Sequence, residues 1–135
     1  MPRTVLSHTA DTGIDATAPT LGELIEELAT GMFELVAGPA ETEPSRAVEA
    51  TVEGGEPADL VVDALSELLY LSEVEDVVFG VVDVVETNDG VGITAGGMPS
   101  GEVDVVGPPI KAVTYHGLVV EATSEGWHGR VYFDV

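Results

Sequence analysis

The period of the apolar positions changes several times along the chain, and each change predicts an element. Gly13-Ile14-Asp15-Ala16-Thr17-Ala18 alternates with period two, which predicts a short strand ended by Pro19. Thr20 and Glu23 then form a T-x-x-E capping box. Leu21, Leu24, Ile25, Leu28, Met32, Leu35 and Val36 recur at helical spacing, so a first helix is predicted over about 21–36, stopped by Gly38-Pro39. Arg46 to Glu53 alternates again and predicts a second strand with one wet face, followed by a turn at Gly54-Gly55. Pro57 suits the first position of a second helix, where its missing N–H costs nothing. Val61, Ala64, Leu65, Leu68, Leu69 and Ser72 mark one face of that helix through about residue 73.

The remainder reads as β. Segments 77–87 and 91–94 flank Asn88-Asp89-Gly90, a tight-turn signal for a hairpin. Gly96 to Gly101 and Gly107-Pro108-Pro109 punctuate a looser region. Segments 111–122 and 127–135 predict a second hairpin turning at Ser124-Glu125-Gly126. Because strand side chains alternate, Trp127, Gly129, Val131, Phe133 and Val135 share one face, while His128, Arg130, Tyr132 and Asp134 share the other. Two helices among about six strands predict an α+β two-layer sandwich, helices on one face of a mostly antiparallel sheet. The 135 residues are expected to form one domain, 1–135, with no internal repeat.

Charge changes this picture most. Twenty-five acidic residues against four basic ones leave a formal charge of −21. A surface of that kind repels itself in dilute buffer and is screened in concentrated salt. The acids are spread along the whole chain rather than gathered in a tail, which favours adaptation to salt over mimicry of nucleic acid. Few side chains remain to grip a phosphate backbone, so any RNA contact is expected to be indirect. The absence of cysteine excludes disulfides and thiolate metal sites and suits the cytosol. No signal-peptide pattern opens the chain, and no apolar run reaches the length of a membrane span, so a soluble cytoplasmic protein is expected.

Enzyme constellations are missing. The chain carries no phosphate-binding loop, dinucleotide fingerprint, H-E-x-x-H or G-x-S-x-G. Ser7 and His8 are neighbours and point apart on an extended chain. The Gly-rich stretch 96–101 lacks the following helix that a phosphate site needs, and reads as a loop between strands. The remaining polar residues of interest are His8-Thr9-Ala10-Asp11, the single lysine Lys111, His116, and Asp134 beside Val135. Asp11, Asp134 and a terminal carboxylate at Val135 would be hard oxygen donors of the kind Ca²⁺, Mg²⁺ or Mn²⁺ accept, although spacing alone does not single them out among 25 acids. His116 on a strand reads more readily as a hydrogen-bonded or half-exposed side chain than as a ligand.

Five blocks in order carry a family resemblance. His8-Thr9-Ala10-Asp11-x-Gly13, Gly31-Met32-Phe33-Glu34-Leu35, Leu65-x-Glu67-Leu68-Leu69-Tyr70-Leu71, Ile110 to Leu118 and Val131-Tyr132-Phe133-Asp134-Val135 together resemble the archease family. The resemblance spans residues 8–135. It implies a small α+β accessory protein, not itself an enzyme, that activates the GTP-dependent tRNA-splicing RNA ligase by promoting its guanylylation and repeated turnover. It also implies a metal site at Asp11 and Asp134 with Val135 contributing through its main chain or terminus. The metal is expected to be calcium, with magnesium and manganese as alternatives. His8, Lys111 and His116 belong to the resembling blocks and are candidate contacts to the ligase or its nucleotide. Two other functions are weighed beside this one: a general chaperone of RNA-modifying proteins, and a small metal-dependent hydrolase using Asp11, Asp134 and a histidine.

Overall fold

A computed structural model describes residues 3–7, 11–40 and 43–135, and not the side chains of Leu6, Ser7 and Asp11. The elements run β1 (Arg3–Ser7), β2 (Asp11–Ala18), α1 (Leu21–Ala37), β3 (Arg46–Glu53), α2 (Pro57–Glu75), β4 (Val77–Glu86), β5 (Gly90–Pro99), a 3-10 turn at Ser100–Glu102, β6 (Ala112–Thr123) and β7 (Gly126–Asp134). All strand pairs are antiparallel. The strands form two sheets, one ordered β1-β2-β7-β6 and the other β3-β5-β4. The α+β class and both helices are as the periodicity predicts, with seven strands among the described residues in place of about six.

Local chemistry sets the helix ends. Thr20 accepts from the Glu23 amide at 3.1 Å, satisfying one orphan donor at the start of α1. Gly38 ends α1 with its N–H on the Glu34 carbonyl. Pro57 opens α2, and Asp76 closes it in the left-handed conformation.

Both helices bury the stripes expected of them. Leu24, Ile25, Leu28 and Met32 of α1 are fully buried, as are Val61, Ala64, Leu65 and Leu68 of α2. They meet Ile14, Ala16, Val131 and Phe133 from the first sheet and Val77, Phe79, Val91 and Ile93 from the second in one continuous cluster. Phe79 packs edge-on to Phe33 with ring centroids 5.4 Å apart. Phe79→Ala is therefore expected to cost about 3–5 kcal/mol. Denaturant unfolding in molar salt reads this directly, and a loss below about 1 kcal/mol would contradict the packing.

Two segments differ from the expectation. Arg3–Ser7 is a strand, too short for its periodicity to stand out, and is tied down by Arg3 reaching Glu27 and Glu34 of α1. Gly96 to Pro99 belongs to β5 and is not a loop. A methyl group at position 97 would lie 2.0 Å from the Val78 carbonyl oxygen, so glycine there admits close strand approach. The neighbouring strand bulges at Gly80, between Phe79 and Val81.

Candidate metal and partner site

The first sheet buries one face under the helices and leaves the other open. On β7, Gly129, Val131 and Phe133 are buried, His128, Arg130 and Tyr132 are half-buried and Asp134 is exposed, the partition that alternation predicts.

At one end of this sheet the ladder brings the candidate metal residues together. Asp11 of β2 is the direct register partner of Asp134 of β7, which on its other side faces Ala112 of β6. Lys111 donates its main-chain N–H to the Asp134 carbonyl at 2.7 Å, so the single lysine starts beside the same pair. Val135 follows, 36% exposed. The side chain of Asp11, and His8 altogether, lie outside the described residues. Among the described residues, no three His, Asp or Glu side chains are placed to hold a metal ion.

Lys111 differs from the other basic residues. Arg3 bonds Glu27 and Glu34, Arg130 bonds Asp15 at 2.9 Å, and Arg46 reaches the Glu75 carbonyl at 3.5 Å. The Lys111 side chain is exposed and, among the described residues, has no such acceptor. Its positive charge is therefore available to an incoming anion.

His116 lies in a large bulge. Thr114 pairs with Tyr132 and Val119 with Arg130, so β6 passes through Tyr115, His116, Gly117 and Leu118 where β7 passes only through Val131. The bulge sends the Tyr115 hydroxyl to donate to the Asp59 carboxylate of α2 at 2.9 Å, and this bond raises the phenol's pKa. His116 is exposed, its N–H on the Thr114 hydroxyl at 3.0 Å. Lys111 thus directly precedes β6, and His116 lies in the bulge of that strand.

A second cluster lies further along the open face, and no sequence signal marks it. His128 contacts Glu121 through Nδ1 at 2.8 Å and Asp15 through Nε2 at 3.0 Å, joining β2, β7 and β6. The Glu121 bond and then the Asp15 bond raise its pKa, outweighing partial burial. A histidine raised on folding adds stability in full below its unfolded pKa of about 6.5, and that stability is lost as pH climbs through the folded value. The difference in melting temperature between the wild type and His128→Gln should therefore be largest below about pH 6 and shrink toward alkaline pH. A difference independent of pH would show that the imidazolium is not what matters. Since Glu121 is 58% exposed, the effect is expected to be small.

Comparison with known proteins bears on the family and the fold. The model of the archease protein family (MTH1598/TM1083) matches residues 4–135. Protein archease of Methanosarcina acetivorans is 35% identical over 136 residues, covering 96% of this chain and 93% of that protein. Protein archease of Methanopyrus kandleri is 31% identical, with both chains covered in full. The solution structure of Methanobacterium thermoautotrophicum protein 1598 superposes with a TM-score of 0.76 at 25% identity, covering 99% of each chain. The crystal structure of a Thermotoga maritima archease, described as a possible chaperone, shares the fold with a TM-score of 0.67 at 22% identity, covering 96% of this chain and 94% of that one. With its motif blocks, its fold and its near-complete coverage in agreement, the chain belongs to the archease family.

Proposed function

We propose that this protein is an accessory factor in tRNA splicing that activates the GTP-dependent RNA ligase, promoting its guanylylation and repeated turnover. The observation that carries this reading is the register of β2 against β7, which pairs Asp11 with Asp134 beside the only lysine. Two carboxylates and the main-chain oxygen of Val135 would form a donor set without nitrogen or sulfur, which fits a hard divalent cation. Calcium is the first candidate, with magnesium and manganese as the others. When bound, such an ion supplies positive charge opposite the phosphates of an anionic ligand.

The chain's own groups perform no bond chemistry in this account. Asp134 and Asp11 hold the cation, Lys111 offers a mobile ammonium, and His116 presents a donor or acceptor from the bulge. His8, outside the described residues, is a further candidate contact to the ligase. Binding that favours the ligase conformer ready for guanylylation would shift the ligase toward it. RNA is reached only through the ligase, because three of the four basic residues are already engaged within the fold. The formal charge of −21 supports a cytoplasmic protein of a salt-adapted cell, where dissolved salt screens the self-repulsion. No helix among the described residues is long and apolar enough to cross a membrane.

The test is transfer of labelled GMP to the cognate ligase in high salt, with and without this protein. Faster transfer is expected, and an unchanged rate with both proteins folded would refute the proposal. A general chaperone of RNA-modifying proteins is the second reading. Val105 and Val106 favour it, since each is 67% exposed in a segment where no unpaired apolar face is apparent from the sequence. That reading predicts suppressed aggregation of several unrelated clients and no particular effect on one ligase.

A further inference from the structure

We propose that Tyr132 is a positioning residue for this site, its ring acting as a wedge that holds β2 and the β6 bulge on either side of β7. The inference rests on the reading of the Asp11–Asp134 end as a functional site. It concerns how that site is held in shape.

Tyr132 stands two residues before Asp134 on the open face, opposite Gly13 of β2 and Thr114 of β6. Both neighbouring strands present glycine to its ring. A methyl group at position 13 would lie 2.8 Å from Cδ1 and 3.2 Å from Cε1 of Tyr132. One at position 117 would lie 2.8 Å from Cε2 and 2.9 Å from Cδ2. The two long edges of the ring therefore abut the backbones of two different strands, and any side chain in either place would displace it. Gly117 also has φ of +70°, a conformation that side chains other than glycine's rarely adopt.

The bulge explains why such a wedge is needed. Four residues of β6 against one of β7 leave a stretch without ladder pairing, and unpaired strand backbone needs another contact to define its path. The Tyr132 ring supplies that contact at Gly117, while the Tyr115–Asp59 hydrogen bond anchors the bulge to α2. His116 lies between these two fixed points. On the other side, the same ring packs on Gly13, two residues from Asp11. One side chain thus bears on the strand segments that carry Asp11, Asp134 and His116. Residues that orient metal ligands without touching the metal typically change affinity about 10–100-fold when removed.

The test uses the full chain in molar salt with two readouts, Ca²⁺ affinity by calorimetry and amide hydrogen exchange across residues 115–118. Tyr132→Ala is expected to weaken Ca²⁺ binding about tenfold or more and to speed exchange in the bulge by a similar factor. Tyr132→Phe keeps both ring edges and is expected to be clearly less impaired than Tyr132→Ala in both. If Tyr132→Ala does not fold, Gly117→Ala, which presses on the ring from β6, is expected to produce the same two changes. Wild-type affinity and wild-type exchange in Tyr132→Ala would overturn the proposal, as would a Tyr132→Phe protein as impaired as Tyr132→Ala. Should the wild type bind no Ca²⁺, the metal reading fails by itself, and bulge exchange alone decides the wedge: acceleration in Tyr132→Ala supports it and no acceleration overturns it.

Discussion

Moved from molar salt into a buffer of about 0.01 M ionic strength, the protein is expected to unfold. The formal charge is −21, and only four Lys and Arg residues are present to offset 25 acids. Spread over a sphere of about 18 Å radius, that charge gains roughly 25 kcal/mol of self-repulsion as the Debye length grows from about 3 to about 30 Å. An expanded chain of about 38 Å radius gains only about 9 kcal/mol over the same change. The difference of about 16 kcal/mol is as large as the whole stability of an ordinary domain, about 5–15 kcal/mol. The ion pairs found here cannot compensate, since they engage few acids and are partly exposed. Circular dichroism and the fluorescence of Trp127, the single tryptophan, followed from 2 M to 0.01 M KCl would read the transition. A melting temperature that stays within about 3 °C over that range would contradict salt adaptation and return the acids to the role of a partner surface.

The second large effect concerns Asp134. Asp134→Ala removes a carboxylate that is exposed at the end of β7, outside the core, and in register with Asp11. Its main-chain carbonyl, which accepts from Lys111, is unaffected by the substitution. Fold stability in molar salt should therefore change by no more than about 0.5 kcal/mol, as for other surface positions. Cation binding and ligase activation should both be lost, because the remaining carboxylates do not converge there among the described residues. A variant that keeps activation would show that the metal reading is wrong even with the family membership intact.

How much of this could be read from the chain follows the range of each interaction. Both helices were legible because their apolar stripes and caps are local: Thr20 with Glu23, and Leu21 through Met32, lie within a few turns of one another. The division of the strands into two sheets was not, because β2 pairs with β7 across most of the chain and β3 with β5 across α2 and β4. The glycines of β5 read as loop residues for the same reason, since the carbonyl of Val78 that requires Gly97 belongs to another strand. At the site, spacing alone did not raise Asp11 and Asp134 above the other acids. The family resemblance singled them out, and the register supplies a physical reason for their pairing. His128 with Asp15 and Glu121, and Tyr132 between two glycines, exist only once three strands are assembled. Alternation placed His128 and Tyr132 on the correct face but said nothing of their neighbours.

The central claim is that this chain activates a ligase through the Asp134 end of its first sheet. Multiple-turnover joining by the cognate RNA ligase, in high salt with GTP and a divalent metal, tests it most directly. The account predicts that wild-type protein raises turnover and that Asp134→Ala, folded to the same extent, does not. Equal turnover with the wild type, with Asp134→Ala and with no added protein would contradict it.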